Sequence, residues 1–198
     1  MDAQQGGAGY RSARGSRGDE PLTYSYDYPH PAMTADVALL SAAEGRLALL
    51  LVRRAQPPFA GHWALPGGFM NIDETLAHCA ARELREETGI VDVSLVPLGV
   101  FDQPDRDPRE RVITLVHVGI VRLADVALEA GSDAGEVRWF TLDALPDLAF
   151  DHGAVVACLR SWLADHPDPL GLALAMISPD GQPSELVTLY ADITGQNR

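Results

Sequence analysis

Three glutamates are spaced so that their carboxylates could act together on one ligand. Glu83, Glu86 and Glu87 have i, i+3, i+4 spacing in a segment, residues 74–88, that is predicted to be helical. At about 100° per residue, this spacing brings the three side chains to one face of the helix. Such like charges destabilise an isolated helix, and a hard divalent cation, Mg²⁺ or Mn²⁺, would relieve the repulsion. The alternative from spacing alone is a solvated face whose charges are balanced by arginines of the same helix.

The residues around these glutamates form a longer pattern, which begins at Gly68 and reads GFMNIDETLAHCAARELREETGI. This stretch resembles the signature of the Nudix hydrolases, Gx5Ex7REUxEExGU with U aliphatic, at every fixed position. The resemblance implies an α/β fold, the Nudix α/β/α sandwich around a mixed sheet, in which the signature forms a loop–helix–loop. It also implies hydrolysis of a nucleoside diphosphate linked to another group, with two or three Mg²⁺ or Mn²⁺ ions as cofactor.

The same resemblance assigns roles by position in the signature. The metal ligands that it implies are the Gly68 carbonyl, Glu83, Glu86 and Glu87. Glu86 and Glu87 are also implied in catalysis together with Arg82, which would orient a carboxylate through a charge-assisted pair. Glu74 would hold the start of the helix or contact metal through water, and Gly89 is the predicted C-cap. Divalent ions in such a site would neutralise a pyrophosphate and lower the pKa of bound water.

Similarity outside the signature points to one branch of the family, which contains the ADP-ribose pyrophosphatases and the Nudix-type transcription regulators of NAD metabolism. It covers about residues 29–165 and is carried by WALPGGF (63–69), FDQPDRDPR (101–109), RWF (138–140) and LAFDH (148–152). Pro104 lies near the position of a proline associated with ADP-ribose hydrolysis, whereas Glu110 replaces the glycine that is usual after the RDPR run. The implied reaction is hydrolysis of ADP-ribose, or a close ADP-X compound, to AMP and a sugar phosphate.

The predicted substrate contacts lie outside the acidic helix. Arg106 and Arg109, in a charged loop, can bind phosphate bidentately, although internal Asp–Arg pairs in an exposed loop are an equally open alternative. Arg53 and its neighbour end a predicted strand, and one of the two could face phosphate; we take Arg53. The alternative is that both arginines simply end a strand at the surface. Phe59 or Trp63 would stack on adenine, and we take Phe59 because packing in the core is favoured for Trp63. The resemblance implies that Glu136 is an extra metal ligand or a water-activating acid.

Apolar segments on either side must position these residues. Strands are predicted at 35–42, 46–52, 91–101, 112–121 and 136–140. Asp73 is the predicted N-cap of the acidic helix. A second helix is predicted over 150–164, where His152 would contact Asp151 or the backbone rather than act in catalysis, and a proline-containing stretch then marks a boundary.

Composition limits the classes of function. The 198 residues suit one domain with appendages and allow a self-sufficient core. All 15 basic residues are arginines, which excludes a Schiff-base lysine enzyme and a Walker-type phosphate loop. A net charge of −13 should repel nucleic acid and anionic membranes. Two distant cysteines, and the lack of an apolar run of about 18 residues, predict a reduced, cytoplasmic protein without a membrane span.

Three regions are predicted along the chain. Residues 1–28 form a disordered tail rich in Gly, Ser, Ala and Arg, residues 29–166 the Nudix hydrolase domain, and residues 167–198 a C-terminal extension. A helix predicted at 184–193 resembles the first helix of the regulators' winged-helix domain, so the extension is expected to be a truncated remnant that packs on the domain or on a partner subunit. Its four acids against one arginine disfavour DNA binding. The resemblance also implies a homodimer.

Two other functions are compatible with the pattern. An ADP-ribose-sensing transcription regulator would use the domain as a ligand sensor, whereas the intact signature favours catalysis. An oxidised-nucleotide diphosphatase of the 8-oxo-dGTP type is the nearest enzymatic rival.

Overall fold

The structure is a computed structural model that describes Tyr24, residues 26–129 and residues 134–196. The tail predicted over residues 1–28 lies outside these ranges except for its last residues. No helix in the described part of the chain combines the length and the apolar character needed to cross a bilayer.

The described strands form one mixed sheet. They are β1 (Ala32–Ala43), β2 (Arg46–Arg54), β3 (Trp63–Ala64), β4 (Gly67–Phe69), β5 (Leu95–Phe101), β6 (Val112–Ile120) and β7 (Ala134–Thr141). The main path is β3-β2-β1-β6-β5, while β4 pairs with β1 and β7 pairs with β2. β1 and β6 are parallel, and the other pairs are antiparallel. The mixed sheet predicted from the sequence is therefore confirmed.

Four α-helices cover the two faces of this sheet in the described residues. They are α1 (Leu76–Thr88), α2 (His152–Ala164), α3 (Pro169–Met176) and α4 (Pro183–Thr194). Alternate residues of β1 point to opposite faces. Val37 and Leu39 belong to the core beneath α1. Ala38 and Leu40 belong to the core beneath α2, α3 and α4. This is the predicted α/β/α sandwich.

β1 and β7 begin earlier than predicted, at Ala32 and Ala134, and the starts of three other elements differ for reasons that the structure shows. The N-cap of α1 is Thr75, which accepts from the His78 N–H at 3.2 Å, and not Asp73. The reason lies in Glu74: its carboxylate accepts from the Asn71 N–H at 2.7 Å, so this segment stays a turn. β5 begins at Leu95 rather than residue 91, and α2 at His152 rather than residue 150. Asp92 and Phe150 have φ of 58° and 54°, which neither a strand nor a right-handed helix accommodates.

α3 is not predicted from the sequence. The prolines on either side of Asp168 indicate a boundary, yet Pro169 occupies the first turn of a helix, where its missing N–H costs nothing. Asp168 caps this helix by accepting from the Gly171 N–H at 2.8 Å. Further along, α4 is fixed to the sheet, since Asp192 accepts from Arg46 Nε at 2.8 Å and from the Leu47 N–H at 3.1 Å.

Candidate active site

The three glutamates of α1 differ in their surroundings. Glu86 is exposed, whereas Glu83 and Glu87 are partly buried. Burial raises the pKa of Glu87 to about 8, and the charges of Glu83 and Asp36 act in the same direction. Burial also raises the pKa of Glu83. The acidic face of α1 is therefore electrostatically costly, which is the situation expected of a face that meets a cation.

Two glycines of β4 bring the backbone against these carboxylates. The Gly67 N–H donates to Glu87 Oε2 at 3.0 Å. A Cβ on Gly68 would lie 2.4 Å from Glu83 Oε1, so any side chain at this position would require the Glu83 carboxylate to move. The Gly68 carbonyl in turn accepts from Cys79 Sγ at 3.6 Å. The glycine pair thus places a backbone donor and a backbone acceptor beside the acidic face.

Arg82 connects the acidic residues of the signature. Its Nε and Nη2 bond both oxygens of Glu74 at 3.1 and 2.6 Å. Its Nη1 donates to Glu83 Oε1 at 2.7 Å and to Glu86 Oε2 at 3.1 Å. Hydrogen bonding to Arg82 is the largest of the effects that lower the pKa of Glu74. Glu74 therefore ties the loop before α1 to the helix, and Arg82 fixes the orientation of two further carboxylates.

A cluster of arginine and phenylalanine side chains contains candidate substrate contacts. The guanidinium carbon of Arg54 lies 4.8 Å from the centre of the Phe150 ring, and that of Arg109 lies 5.8 Å from it. Arg109 also lies 4.9 Å from the centre of the Phe69 ring, and Phe59 packs edge-on against Phe150 at 4.9 Å. Cation–π contacts of this kind hold guanidinium groups in place without neutralising them.

Arg54 is the functional candidate that the sequence reasoning passed over in favour of its neighbour. Its hydrogen bonds within the described residues go to backbone carbonyls, those of Pro58 and Gln56, and no described carboxylate lies within 4.0 Å. Burial lowers its pKa, followed by repulsion from Arg109, while Glu87 acts in the opposite direction. A partly buried arginine that forms no ion pair within the described residues, and that lies close to a second arginine, is suited to an anionic ligand.

Arg106 has a different environment from Arg109, although both were predicted to bind phosphate. Arg106 is buried and bonds Asp151 with two donors, Nε at 3.0 Å and Nη2 at 2.7 Å. Arg109 is half-exposed and pairs with Asp107 at 2.6 Å. Only Arg109 therefore presents its guanidinium to solvent, and Arg106 has the geometry of an enclosed structural pair.

Comparison with known proteins decides the family. Residues 30–159, well over half of the chain, match the NUDIX domain family. The chain belongs to the Nudix family.

Three Nudix relatives show what this chain is similar to. An ADP-ribose pyrophosphatase of Methanocaldococcus jannaschii is 41% identical over 135 residues, which cover 68% of this chain and 76% of that protein. The ADPR-responsive transcriptional repressor NtrR of Acinetobacter baylyi is 33% identical over 86% of this chain and 70% of its own length. The NUDIX domain of Shewanella oneidensis NrtR, solved as a complex with ADP ribose, superimposes with a TM-score of 0.64 at 30% identity, covering 70% of this chain and 94% of that domain.

The donor set of the Nudix helix fits a hard divalent cation chemically. It consists of carboxylate oxygens from Glu83, Glu86 and Glu87 with the nearby Gly68 carbonyl, the ligand types that Mg²⁺ and Mn²⁺ prefer. Within the described residues, no three acidic, histidine or cysteine side chains surround one point. Arg82 bonds two of these carboxylates, so a cation would compete with Arg82 for the same oxygens.

Two other predicted site residues lie together on the neighbouring strands. Arg53 of β2 is in register with Glu136 of β7, and Arg53 Nη1 lies 3.8 Å from Glu136 Oε2. Glu136 also accepts from Arg138 at 2.5 Å. The ion pairs of Glu136 within the described residues are with these arginines, and none of its described contacts is with a carboxylate of α1.

Proposed function

We propose that the protein hydrolyses the pyrophosphate bond of ADP-ribose, or of a related nucleoside diphosphate-X compound, to AMP and a sugar phosphate. The observation that carries this proposal is a pair of arginines, Arg54 and Arg109, that share Phe150, together with the electrostatic interaction of Arg54 with Glu87 on the acidic face of α1. A site for a metal-bound diphosphate needs carboxylates to bind the divalent ions and guanidinium groups to bind the phosphate oxygens. The likeness to the M. jannaschii pyrophosphatase and to the ADP-ribose complex supports this choice of substrate.

In this proposal the signature residues hold and orient the catalytic ions. Glu83, Glu86, Glu87 and the Gly68 carbonyl would bind Mg²⁺ or Mn²⁺, with two or three ions expected. When bound, the ions neutralise the diphosphate and lower the pKa of coordinated water. Arg82 keeps two of the carboxylates oriented through the bonds described above.

Hydrolysis joins the water oxygen to one phosphorus and breaks the bond from that phosphorus to the bridging oxygen. The bridging oxygen leaves on the second phosphate, and a proton of the water passes to a base. Glu136 stays our predicted water-activating acid or additional ligand. Its pairing with Arg53 and Arg138 means that it would have to exchange these partners to act there.

We assign the substrate's anionic and aromatic parts to different side chains. Arg54 and Arg109 would bind the diphosphate, with Arg53 at the edge of the same strand, and Phe59 would contact the adenine. Phe59 suits this role because it is partly exposed while its edge-on contact with Phe150 fixes the ring.

Product release from a panel of substrates tests the proposal. The panel contains ADP-ribose, NADH, a dinucleoside polyphosphate and 8-oxo-dGTP, each with Mg²⁺ and with Mn²⁺. We expect ADP-ribose to have the highest kcat/KM. A preference of more than about tenfold for 8-oxo-dGTP would replace the assignment with the oxidised-nucleotide reaction.

A second function, ADP-ribose sensing without turnover, is favoured by one observation. The A. baylyi repressor aligns with 86% of this chain, beyond the residues that match the family. Calorimetric binding of ADP-ribose with no AMP released in the same panel would select this alternative.

The predicted homodimer is tested separately by light scattering.

A further inference from the structure

A buried carboxylate lies beside the candidate site without belonging to the acidic helix. Asp36 of β1 is only 7% exposed and pairs in register with Gly67 of β4. The Thr114 hydroxyl donates to Asp36 Oδ2 at 2.6 Å, and Arg106 Nη2 lies 3.9 Å from the same oxygen. Positions 38 and 40 of the same strand face are alanine and leucine, so an apolar residue would have suited a purely structural role.

The contact between Asp36 and Gly67 reaches the acidic face through the backbone. A Cβ on Gly67 would lie 2.3 Å from Asp36 Oδ1, so the carboxylate fills the space beside the glycine. The Gly67 N–H donates to Glu87 at 3.0 Å, and Gly68 follows with its backbone against Glu83. Asp36 therefore borders the short segment that presents the backbone donor and acceptor to the carboxylates.

The other end of this buried network is the start of α2. Arg106 bonds Asp151 with two donors, and the next residue, His152, accepts from the Leu65 N–H at 3.0 Å through Nδ1. Two consecutive residues thus reach the segment 65–68, one directly and one through Arg106 and Asp36. All these side chains are buried or partly buried, which gives the contacts a fixed geometry.

We propose that Asp36, Arg106 and Asp151 form a buried charge chain that positions Gly67 and Gly68 against the acidic face of α1. In this role Arg106 and Asp36 are positioning residues for the metal-binding helix, and Arg106 does not grip the substrate. The inference rests on the proposed function for its metal-binding and kinetic readouts, whereas the Gly67 amide is a readout independent of both.

The first test compares Asp36→Asn and Arg106→Gln with the native protein. Each variant should weaken the binding of Mn²⁺ alone, measured by electron paramagnetic resonance, by about tenfold or more. Each should also lower kcat on ADP-ribose by about tenfold while KM stays within about twofold. Asp143→Asn is the matched control, since it removes an exposed partner of Arg46 and should change neither quantity.

The second test reads the segment directly in the metal-free protein. In ¹H–¹⁵N spectra, the Gly67 amide should shift and exchange faster with solvent in Asp36→Asn, but not in Asp143→Asn. Arg106→Lys keeps the charge without the bidentate geometry and should retain more Mn²⁺ affinity than Arg106→Gln. Where Asp36→Asn does not fold, Thr114→Val, which removes only the hydroxyl donor to Asp36, should move the same amide.

Three outcomes would overturn the inference. An increase in KM with unchanged kcat for Arg106→Gln would make Arg106 a substrate contact. A lower thermal midpoint with unchanged Mn²⁺ affinity and an unchanged Gly67 amide would leave the chain a stabilising pair only. Unchanged Mn²⁺ affinity in every variant would likewise show that the chain does not position the metal-binding residues. If the native protein hydrolyses no compound in the panel, the proposed function fails, while Mn²⁺ binding and the Gly67 amide still test the positioning role.

Discussion

At the scale of single residues, the balance of charge around Glu87 is the central feature. Its carboxylate is partly buried and accepts one N–H, from Gly67, while Glu83 and Asp36 repel its charge. Arg82 bonds Glu83 and Glu86 but makes no bond to Glu87 among the described contacts. Glu87 is therefore the member of the acidic face that a bound cation would stabilise most.

Glu86→Gln and Glu87→Gln should each lower kcat by at least about 10²-fold, because each removes a ligand charge that stabilises the transition state. Steady-state kinetics at saturating Mg²⁺ measures this, with circular dichroism to confirm that the fold is kept. Glu129→Gln, at an exposed position, is the matched control. Near-native turnover in both site variants would show that the metal assignment is wrong.

In the metal-free protein, Glu87→Gln should raise the thermal midpoint, more at about pH 9 than at about pH 5. Folding raises the pKa of Glu87 from 4.5 to about 8, so the folded state holds this proton more tightly than the unfolded chain. The stability that this group contributes is full below its unfolded pKa and is lost as pH rises through the folded pKa. Glutamine cannot ionise yet still accepts from Gly67. Calorimetry in EDTA checks the difference, and an equal gain at both pH values would contradict it.

Arg54→Gln should raise KM for ADP-ribose by about tenfold and should do so more than Arg53→Gln. The reason is that Arg54 lies over Phe150 without a described counter-ion, whereas Arg53 is half-exposed and near Glu136. Initial-rate measurements over a range of ADP-ribose concentrations distinguish the two variants. A larger KM effect for Arg53→Gln would restore the assignment made from the sequence.

The choice between these two arginines shows why side-chain direction escapes sequence reasoning. Simple alternation would place Arg53 and Arg54 on opposite faces, but the pairing of β2 with β7 shifts register between them. Similarly, one charged loop contains both the buried Arg106 and the half-exposed Arg109. The sequence could not distinguish them, because Asp151, the partner of Arg106, is close to it only in the folded chain. The three glutamates of α1 could be predicted to share a face because their spacing along one helix is local.

At the scale of elements, the first two strands and α1 could be predicted from the sequence, whereas α3 could not. β1 and β2 are nearly continuous apolar runs of strand length on either side of the turn at 44–45, and α1 has apolar residues at helical spacing. Gly89 ends α1 with its N–H on the Arg85 carbonyl, as predicted. α3 is short and almost wholly apolar, so it has no period to read. At the start of α2, His152 contacts the backbone, as predicted, but its partner, the Leu65 N–H, is distant in sequence and could not be named.

His152→Asn should make stability less sensitive to acid. Burial lowers the pKa of His152, and its Nδ1 accepts from the Leu65 N–H, so the folded protein holds the neutral ring. As the pH falls, His152 is protonated in the unfolded chain at a higher pH than in the folded protein, which favours unfolding. The stability therefore falls as pH drops below the unfolded pKa of 6.5. The asparagine oxygen can replace Nδ1 as acceptor but does not titrate.

Urea unfolding at several pH values between about 7 and 5 gives the free energy of unfolding at each pH, and its slope against pH should be smaller in His152→Asn than in the native protein. The free energy of unfolding of His152→Asn should still fall somewhat with falling pH, because burial also lowers the pKa of His117. Substituting the exposed His78 by Asn gives the control. Parallel pH profiles for the native protein and His152→Asn would rule out this role of His152.

At the scale of the whole molecule, α3 and α4 belong to the same layer as α2. Met176, Leu189 and Ile193 are fully buried in the cluster that also contains Leu159 and Leu163 of α2. Asp192 adds an ion pair and a backbone contact to the start of β2. The buried side of α4 therefore serves the core of the sandwich.

α4 buries Leu189 and Ile193 in the core and leaves Val187 exposed, and the acidic residues of the segment that contains α3 and α4 oppose DNA. Asp168, Asp180, Glu185 and Asp192 lie in this region, and the chain as a whole has a net charge of −13. Duplex binding needs several arginine or lysine contacts to phosphate, so we predict no gel shift with duplex DNA at about 50 mM salt, where electrostatic affinity is strongest. A basic DNA-binding protein in the same gel is the positive control. Saturable, sequence-specific binding that ADP-ribose releases would refute the prediction and favour the regulatory function, as in the A. baylyi repressor.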